Sequence, residues 1–303
     1  MPGRTLAAAI MVGAFASPAF ADPILFGETS IDFHGVFGEL ESLDSEDFGI
    51  PVVHLGGKLA IRSTESGLGL QIDGNFNGFD LDWVDPGLPT GGKMFEFGGA
   101  AHLTYTFSEA LKVGAYLGMQ RHHSEFSGDL LGYLSLDIDV DNFFYGFEVI
   151  AMPRADLTVY ARANVINPGD LTFSITDGID VFEESGPLDD ISGLHIGGGF
   201  RHRVSDRWTV GGDMNYSMLD FYGDLEWSTF DFSGTLAYNF ADIPLSIMAR
   251  VGYLRYDFSL DGWGSAHEDG MTALIRLTYR PGATPAGADG VLFDDYSLFG
   301  GNN

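Results

Sequence analysis

The feature that most constrains this chain is a period of two held over long stretches. In residues 230–240, Phe230, Phe232, Gly234, Leu236, Tyr238 and Phe240 share one face, and Asp231, Ser233, Thr235, Ala237 and Asn239 share the other. Successive side chains of a strand point to opposite faces, so this is a strand with one apolar and one polar side. A turn at 241–244 follows, and then Leu245, Ile247, Ala249 and Val251 alternate with Ser246, Met248, Arg250 and Gly252. In a soluble sandwich the apolar side would point inward. In a membrane-spanning barrel it meets lipid, and the polar side, Arg250 included, lines the interior.

Twelve such segments run along the chain: 30–40, 52–62, 68–83, 93–107, 111–122, 143–152, 157–166, 194–204, 208–221, 230–240, 245–258 and 271–280. The third slips phase near Gly78, as a bulge would cause. Most are 9–15 residues long. Globular strands average about 5–6 residues, whereas a tilted strand crossing a membrane needs ~9–11, so length favours the barrel. Connections after segments 2, 4, 6, 8 and 10 are short, and those after 1, 3, 5, 7 and 11 are long. Short turns on one side and long loops on the other, with an even strand count, fit an up-and-down membrane barrel. The aromatics fall into two bands. Phe107, Trp208, Tyr238, Phe240 and Tyr279 lie at the short-turn ends, and Phe95, Phe97, Phe143, Tyr145, Trp227 and Phe230 at the loop ends. Amphipathic rings gather at membrane interfaces in this way.

Composition narrows the field further. Acid outweighs base, 43 Asp+Glu against 15 Lys+Arg, which excludes a basic nucleic-acid-binding surface. There is no cysteine, so disulfides are excluded. Residues 1–21 read as a secretory signal, with Arg4 in the n-region, an apolar stretch over 6–16, and Ala19-Phe20-Ala21 as the cleavage pattern. No later apolar run is long enough for a transmembrane helix.

On these grounds the chain resembles the bacterial outer-membrane β-barrel proteins, porin-like in general form, over residues 22–280. The resemblance implies an all-β, transmembrane, up-and-down antiparallel β-barrel of twelve strands, with both termini periplasmic. It also implies a setting of lipid bilayer and lipopolysaccharide in the cell outer membrane. Barrels of this kind usually end on an aromatic residue closing the last strand. Here Tyr279 closes strand twelve, but residues 281–303 continue as a tail.

If the apolar faces meet lipid, the opposite faces give the lumen. Its basic candidates are Lys58, Arg62, Lys112, Arg162, Arg201, Arg203, Arg250, Arg255, Arg276 and Arg280. Its acidic candidates include Asp32, Asp73, Glu96, Glu148, Asp213, Asp231 and Asp257, and His34, His54, His102 and His195 also face in. Two readings follow. The bases form a constriction favouring anionic solutes, or they pair with the acids and fill the interior as a salt-bridge network. A disordered end is the ordinary reading of the tail; the sharper one is that, with Asp289, Asp294 and Asp295, it reaches into the basic mouth and obstructs it.

The acids crowd the long connections: Glu41, Asp44, Glu46 and Asp47 in the first, and Asp177, Asp180, Glu183, Glu184, Asp189 and Asp190 in the seventh. A solvated surface is the ordinary reading; divalent cations bound at these loops are the sharper one. Asp137, Asp139, Asp141 and Glu148 match the spacing of a calcium loop, but Asn142 stands where Gly is required, and a strand reading puts Glu148 in the lumen. Neighbouring His122 and His123 should point to opposite faces. Ser265, His267, Glu268 and Asp269 are close in sequence, but a triad is a spatial arrangement, not a sequential one. The chain reads as no enzyme, with no cofactor and no metal. The expected function is a channel for small hydrophilic, anion-preferring solutes. A non-conducting structural or adhesion-type surface barrel acting through its acidic loops is the alternative, and an outer-membrane lipid hydrolase is the third.

Overall fold

A computed structural model describes residues 23–40, 46–63, 65–80, 90–128, 135–176, 181–188, 191–221, 225–260, 264–281 and 291–293. Within them lie thirteen strands: β1 (Pro23–Leu40), β2 (Glu46–Ser63), β3 (Leu68–Asp80), β4 (Thr90–Ser108), β5 (Leu111–Gly128), β6 (Ser135–Arg154), β7 (Leu157–Thr176), β8 (Val181–Pro187), β9 (Ile191–Arg203), β10 (Trp208–Phe221), β11 (Leu225–Asn239), β12 (Leu245–Leu260) and β13 (Gly264–Tyr279). From β1 to β8 and from β9 to β13 each strand pairs antiparallel with the next, β1 pairs with β13, and β7 pairs with β9 as well as with β6. Twelve strands therefore close a barrel, as the hairpin rhythm predicts. The thirteenth, β8, lies outside the ring and pairs with the upper part of β7. Closure leaves the barrel wall no unpaired edge, which backbone in lipid requires.

The faces are inverted relative to a soluble protein. Outward-pointing Phe33, Leu55, Phe97, Leu117, Phe147, Phe232 and Ile275 are exposed, Leu117 at 67% and Phe147 at 73%. Inward-pointing Asp32, His54, Lys58, Asp73, Glu96, Glu148, Asp231 and Arg250 are buried. A polar interior and an apolar belt are what a bilayer imposes. Leu117 lies six positions beyond the short β4–β5 turn, near the middle of the ~9–11 residues a tilted strand needs. Leu117→Arg is expected to lower stability by about 2–4 kcal/mol in phospholipid vesicles. Urea unfolding reads this, and unchanged stability would contradict lipid contact there.

The strands outrun the alternation that marks them. β5 and β6 extend into the predicted fifth loop, β7 and β9 with the extra β8 into the seventh, and β12 and β13 into the last. Beyond the membrane both faces meet water, so the period of two fades, while the ladder still satisfies backbone N–H and C=O groups. Ser265, His267, Glu268 and Asp269 accordingly sit in β13. The bulge expected at Gly78 is absent: Gly78 holds register with Val53 and Phe95. The register shift that does reshape the wall lies between Val140 and Asn142, opposite Pro168. Proline has no N–H for a ladder and belongs at such irregularities. Above this shift, β7 turns from β9 to β8. At the short-turn end, Gly67 adopts a φ of 72°, which glycine takes without strain, and its carbonyl accepts from Thr106 N at 2.9 Å.

The two aromatic bands are present, with one exception. Trp208 and Tyr238 pack edge to face at 4.9 Å, and Tyr238 and Phe240 at 5.1 Å, at the short-turn rim. Phe143 and Tyr145 stand outward near the other rim. Trp227 instead shares the parity of buried Asp231 and stacks on Phe258 at 5.8 Å. It belongs to the inner face.

Candidate functional site

The lumen has two unlike walls. Strands β9–β13, β1 and β2 carry ion pairs that run along the wall. Asp32 accepts two hydrogen bonds from Arg276, Nε at 2.6 Å and Nη2 at 2.5 Å. Arg250 donates Nε to Ser233 Oγ at 2.6 Å and Nη2 to Asp231. Arg201 donates to Asp213 at 2.8 Å, with its guanidinium 5.3 Å from the Tyr160 ring. Nearer the short turns, Glu28 accepts from Arg280 at 2.7 Å and sits 3.2 Å from Lys58 Nζ. A buried charge must be paired, and registration across adjacent strands supplies the pairs: Asp32 lies opposite Arg276, and Lys58 opposite Glu28.

The wall made by β3–β7 is built around His102. Its Nε2 lies 2.8 Å from Asp73 Oδ2 and its Nδ1 2.6 Å from Glu148 Oε1, so carboxylates hold both ring nitrogens. Tyr116 stacks on the same imidazole at 5.2 Å and donates its hydroxyl to Asn164 Oδ1 at 2.9 Å. Beside it, Ala100, Tyr116, Phe144 and Ile166 form an apolar cluster inside the barrel. Towards the long loops, Asn77 contacts His54 and donates to Glu96 at 2.5 Å.

This wall also holds Val291–Phe293 of the C-terminal tail. Phe293 is 4% exposed and forms a buried cluster with Ile150, against which Met152, Tyr160 and Val291 pack. Gln71 grips its backbone twice: Nε2 donates to Phe293 O at 3.0 Å, and Oε1 accepts from Phe293 N at 3.0 Å. Gln71 Nε2 also donates to Asp73 at 2.7 Å, which fixes the carboxamide. Lys112 Nζ donates to Val291 O at 2.7 Å and lies 4.6 Å from the Phe293 ring centroid. The ring runs parallel to His102, at 3° and 6.0 Å. Gly114 leaves the room: a Cβ there would stand 3.1 Å from Phe293 Cε2 and 2.6 Å from Glu148 Oε1. In the ring order, β13 faces β6 across the barrel. The chain thus leaves one wall at Arg280 and lies against the facing wall at Val291–Phe293, eleven positions later. Extended chain of that length spans up to ~36 Å, ample for the crossing.

The predicted pore-lining residues distribute as follows. Lys58, Lys112, Arg162, Arg250, Glu96, Asp213 and Asp231 are buried in the lumen. Arg62, Arg201 and Arg276 are inward, and Arg280 lies at the short-turn rim. Arg203 is also at that rim and donates to Ala155 O at 3.3 Å. Arg255 is misassigned by the sequence reading, and Asp257 with it. Both share the outward parity of Val251 and Tyr253, and they pair with each other at 2.8 Å beyond the lipid belt. The calcium-loop match dissolves: Asp139 and Asp141 pair outside with Arg121, while Glu148 serves His102 in the lumen. His122 and His123 part as expected, His122 inward on Ser124 and His123 outward on Asp139. Among the described residues no group of three or more His, Asp or Glu is arranged to hold a metal. Glu183 and Glu184 lie on exposed β8; residues 41–45, 177–180 and 189–190 are outside the described residues.

Gln71, Tyr116, Phe144, Ile150 and Phe293 escape the sequence reading. A signal was there: Phe144 and Ile150 put apolar groups on the supposedly polar face of β6, where a partner inside the lumen is needed.

No family model and no curated protein matches the chain. Solved structures do. The translocator domain of the autotransporter NalP from Neisseria meningitidis is 11% identical at a TM-score of 0.55, covering 91% of this chain and 97% of its own. The CymD monoaromatic hydrocarbon channel is 11% identical at 0.50, covering 84% and 88%. The β domain of the Bordetella autotransporter BrkA is 10% identical at 0.50, covering 84% and 99%. At such identities the likeness is one of fold. Taken with the apolar belt and polar lumen, it makes this chain a twelve-stranded β-barrel with the fold of bacterial outer-membrane barrels.

Proposed function

We propose that this chain is an outer-membrane channel for small hydrophilic solutes whose resting state is closed by its own tail. The observation that carries the reading is Val291–Phe293 lodged against β3–β7, across the lumen from the strand the tail leaves. The short turns and the tail's entry face the periplasm in this reading, and the long hairpins face outward. Ejecting the tail removes the Val291 carbonyl and the Phe293 ring from Lys112. That leaves a stronger positive field at the mouth, which favours anions. Recording the chain ended at Arg280 in a planar bilayer under a salt gradient is expected to give steady steps with an anion-signed reversal potential. A cation-signed potential would keep the channel and overturn the anion preference.

A second reading has its own support. The lumen charges are largely buried and engaged with one another, as in Arg250–Asp231 and Arg276–Asp32. A barrel that stays silent after tail removal is a closed structural or surface protein.

A further inference from the structure

We propose that the seat of Phe293 is a binding site for small N-acylated aromatic amides, phenylalanyl amides and short phenylalanyl peptides above all, which compete with the tail for it. The seat reads three features at once. Gln71, fixed by Asp73, meets one N–H and one C=O with the two ends of a single carboxamide. This is the pairing a neighbouring strand would offer, and an N-acylated amino-acid amide, with its N–H and C=O on the two sides of one Cα, satisfies it. The ring lies parallel to His102, whose two nitrogens are held by Asp73 and Glu148 and which cannot swing away without breaking both contacts. Lys112 adds a cation within range of the ring, an attraction that strengthens where water is excluded. The space itself exists because position 114 carries no Cβ.

Gln71 and His102 are almost fully buried and are carried by strands of a closed barrel, not by loops. The site is therefore rigid, and it is preorganised for a ligand of this shape. The occupant seen is a covalently attached phenylalanyl amide, so a free one presents the same groups. The tail has the advantage of tethering, so free ligand must reach high concentration to replace it. This inference rests on the geometry of the seat and does not depend on conduction.

The test uses the full chain in detergent micelles with N-acetyl-phenylalaninamide as probe and N-acetylglycinamide as control. An acid-specific protease that cuts after Asp294 reports whether the adjoining Phe293 is seated. The phenylalanyl probe at saturation is expected to speed that cut at least tenfold, and the glycyl control to leave it unchanged. Calorimetric titration of full-length Phe293→Ala, in which the ring seat is vacant, is expected to show at least tenfold tighter binding of the probe than the unaltered chain. No acceleration by the probe, or equal acceleration by the control, overturns the proposal. So does equal affinity for the unaltered chain and Phe293→Ala. Because the protease measurement needs no variant, it stands even if Phe293→Ala does not fold.

Discussion

Replacing Arg250 by methionine is expected to lower the unfolding free energy by about 3–5 kcal/mol, the cost of stranding one member of a buried ion pair. Arg250 is 5% exposed, and its guanidinium bonds Asp231 and Ser233. Without it, Asp231 keeps a 3.3 Å hydrogen bond from Asn215, far less than a buried carboxylate requires. Adding Asp231→Leu should recover most of the loss, because replacing both partners by apolar groups removes the stranded charge. Equilibrium urea unfolding of the single and double variants measures both effects. A loss under about 1 kcal/mol for Arg250→Met, the range of an exposed pair, would mean that this wall is wet and the lumen open.

Phe293→Asp in the full chain is expected to turn a closed barrel into an open one. The change removes a buried aromatic worth about 1.5–3 kcal/mol and places a carboxylate beside Glu148 and Asp73 at the His102 seat. A shift of about 3 kcal/mol lowers the seated population by roughly a hundredfold. Planar-bilayer recording should then show an open probability approaching that of the chain ended at Arg280. An unchanged record would mean that Phe293 does not latch the tail.

The barrel itself was legible because lipid enforces a rule on every crossing strand. Leu117 and Val113 outward, Lys112 and Tyr116 inward, is a pattern that one sequence can show. The hairpin extensions were not legible, because above the membrane that rule lapses: β8, with Val181 and Glu184 both exposed, has no buried face to betray it. Arg255 failed for the same reason, since a charged side chain on an outward position is tolerated once the strand has left the lipid. The lumen was half legible. Arg276, Arg250 and Asp231 could be assigned to it by parity, but their partners depend on which strands adjoin, and Asp32 meets Arg276 only because the barrel closes β1 on β13. The seat was least legible. It joins Gln71, His102, Lys112, Ile150 and Phe293 from five separate stretches, and none of them carries a motif. The charge of the tail pointed to the mouth, whereas what anchors it there is a phenylalanine and a carboxamide clamp.

The most direct test of closure by the tail is a paired single-channel recording of the full chain and of the chain ended at Arg280, refolded in the same lipid. The tail-closed barrel requires rare or absent openings from the full chain and frequent, steady steps from the shortened one. Equal conductance from the two would contradict it, since a segment that blocks the lumen cannot be removed without effect.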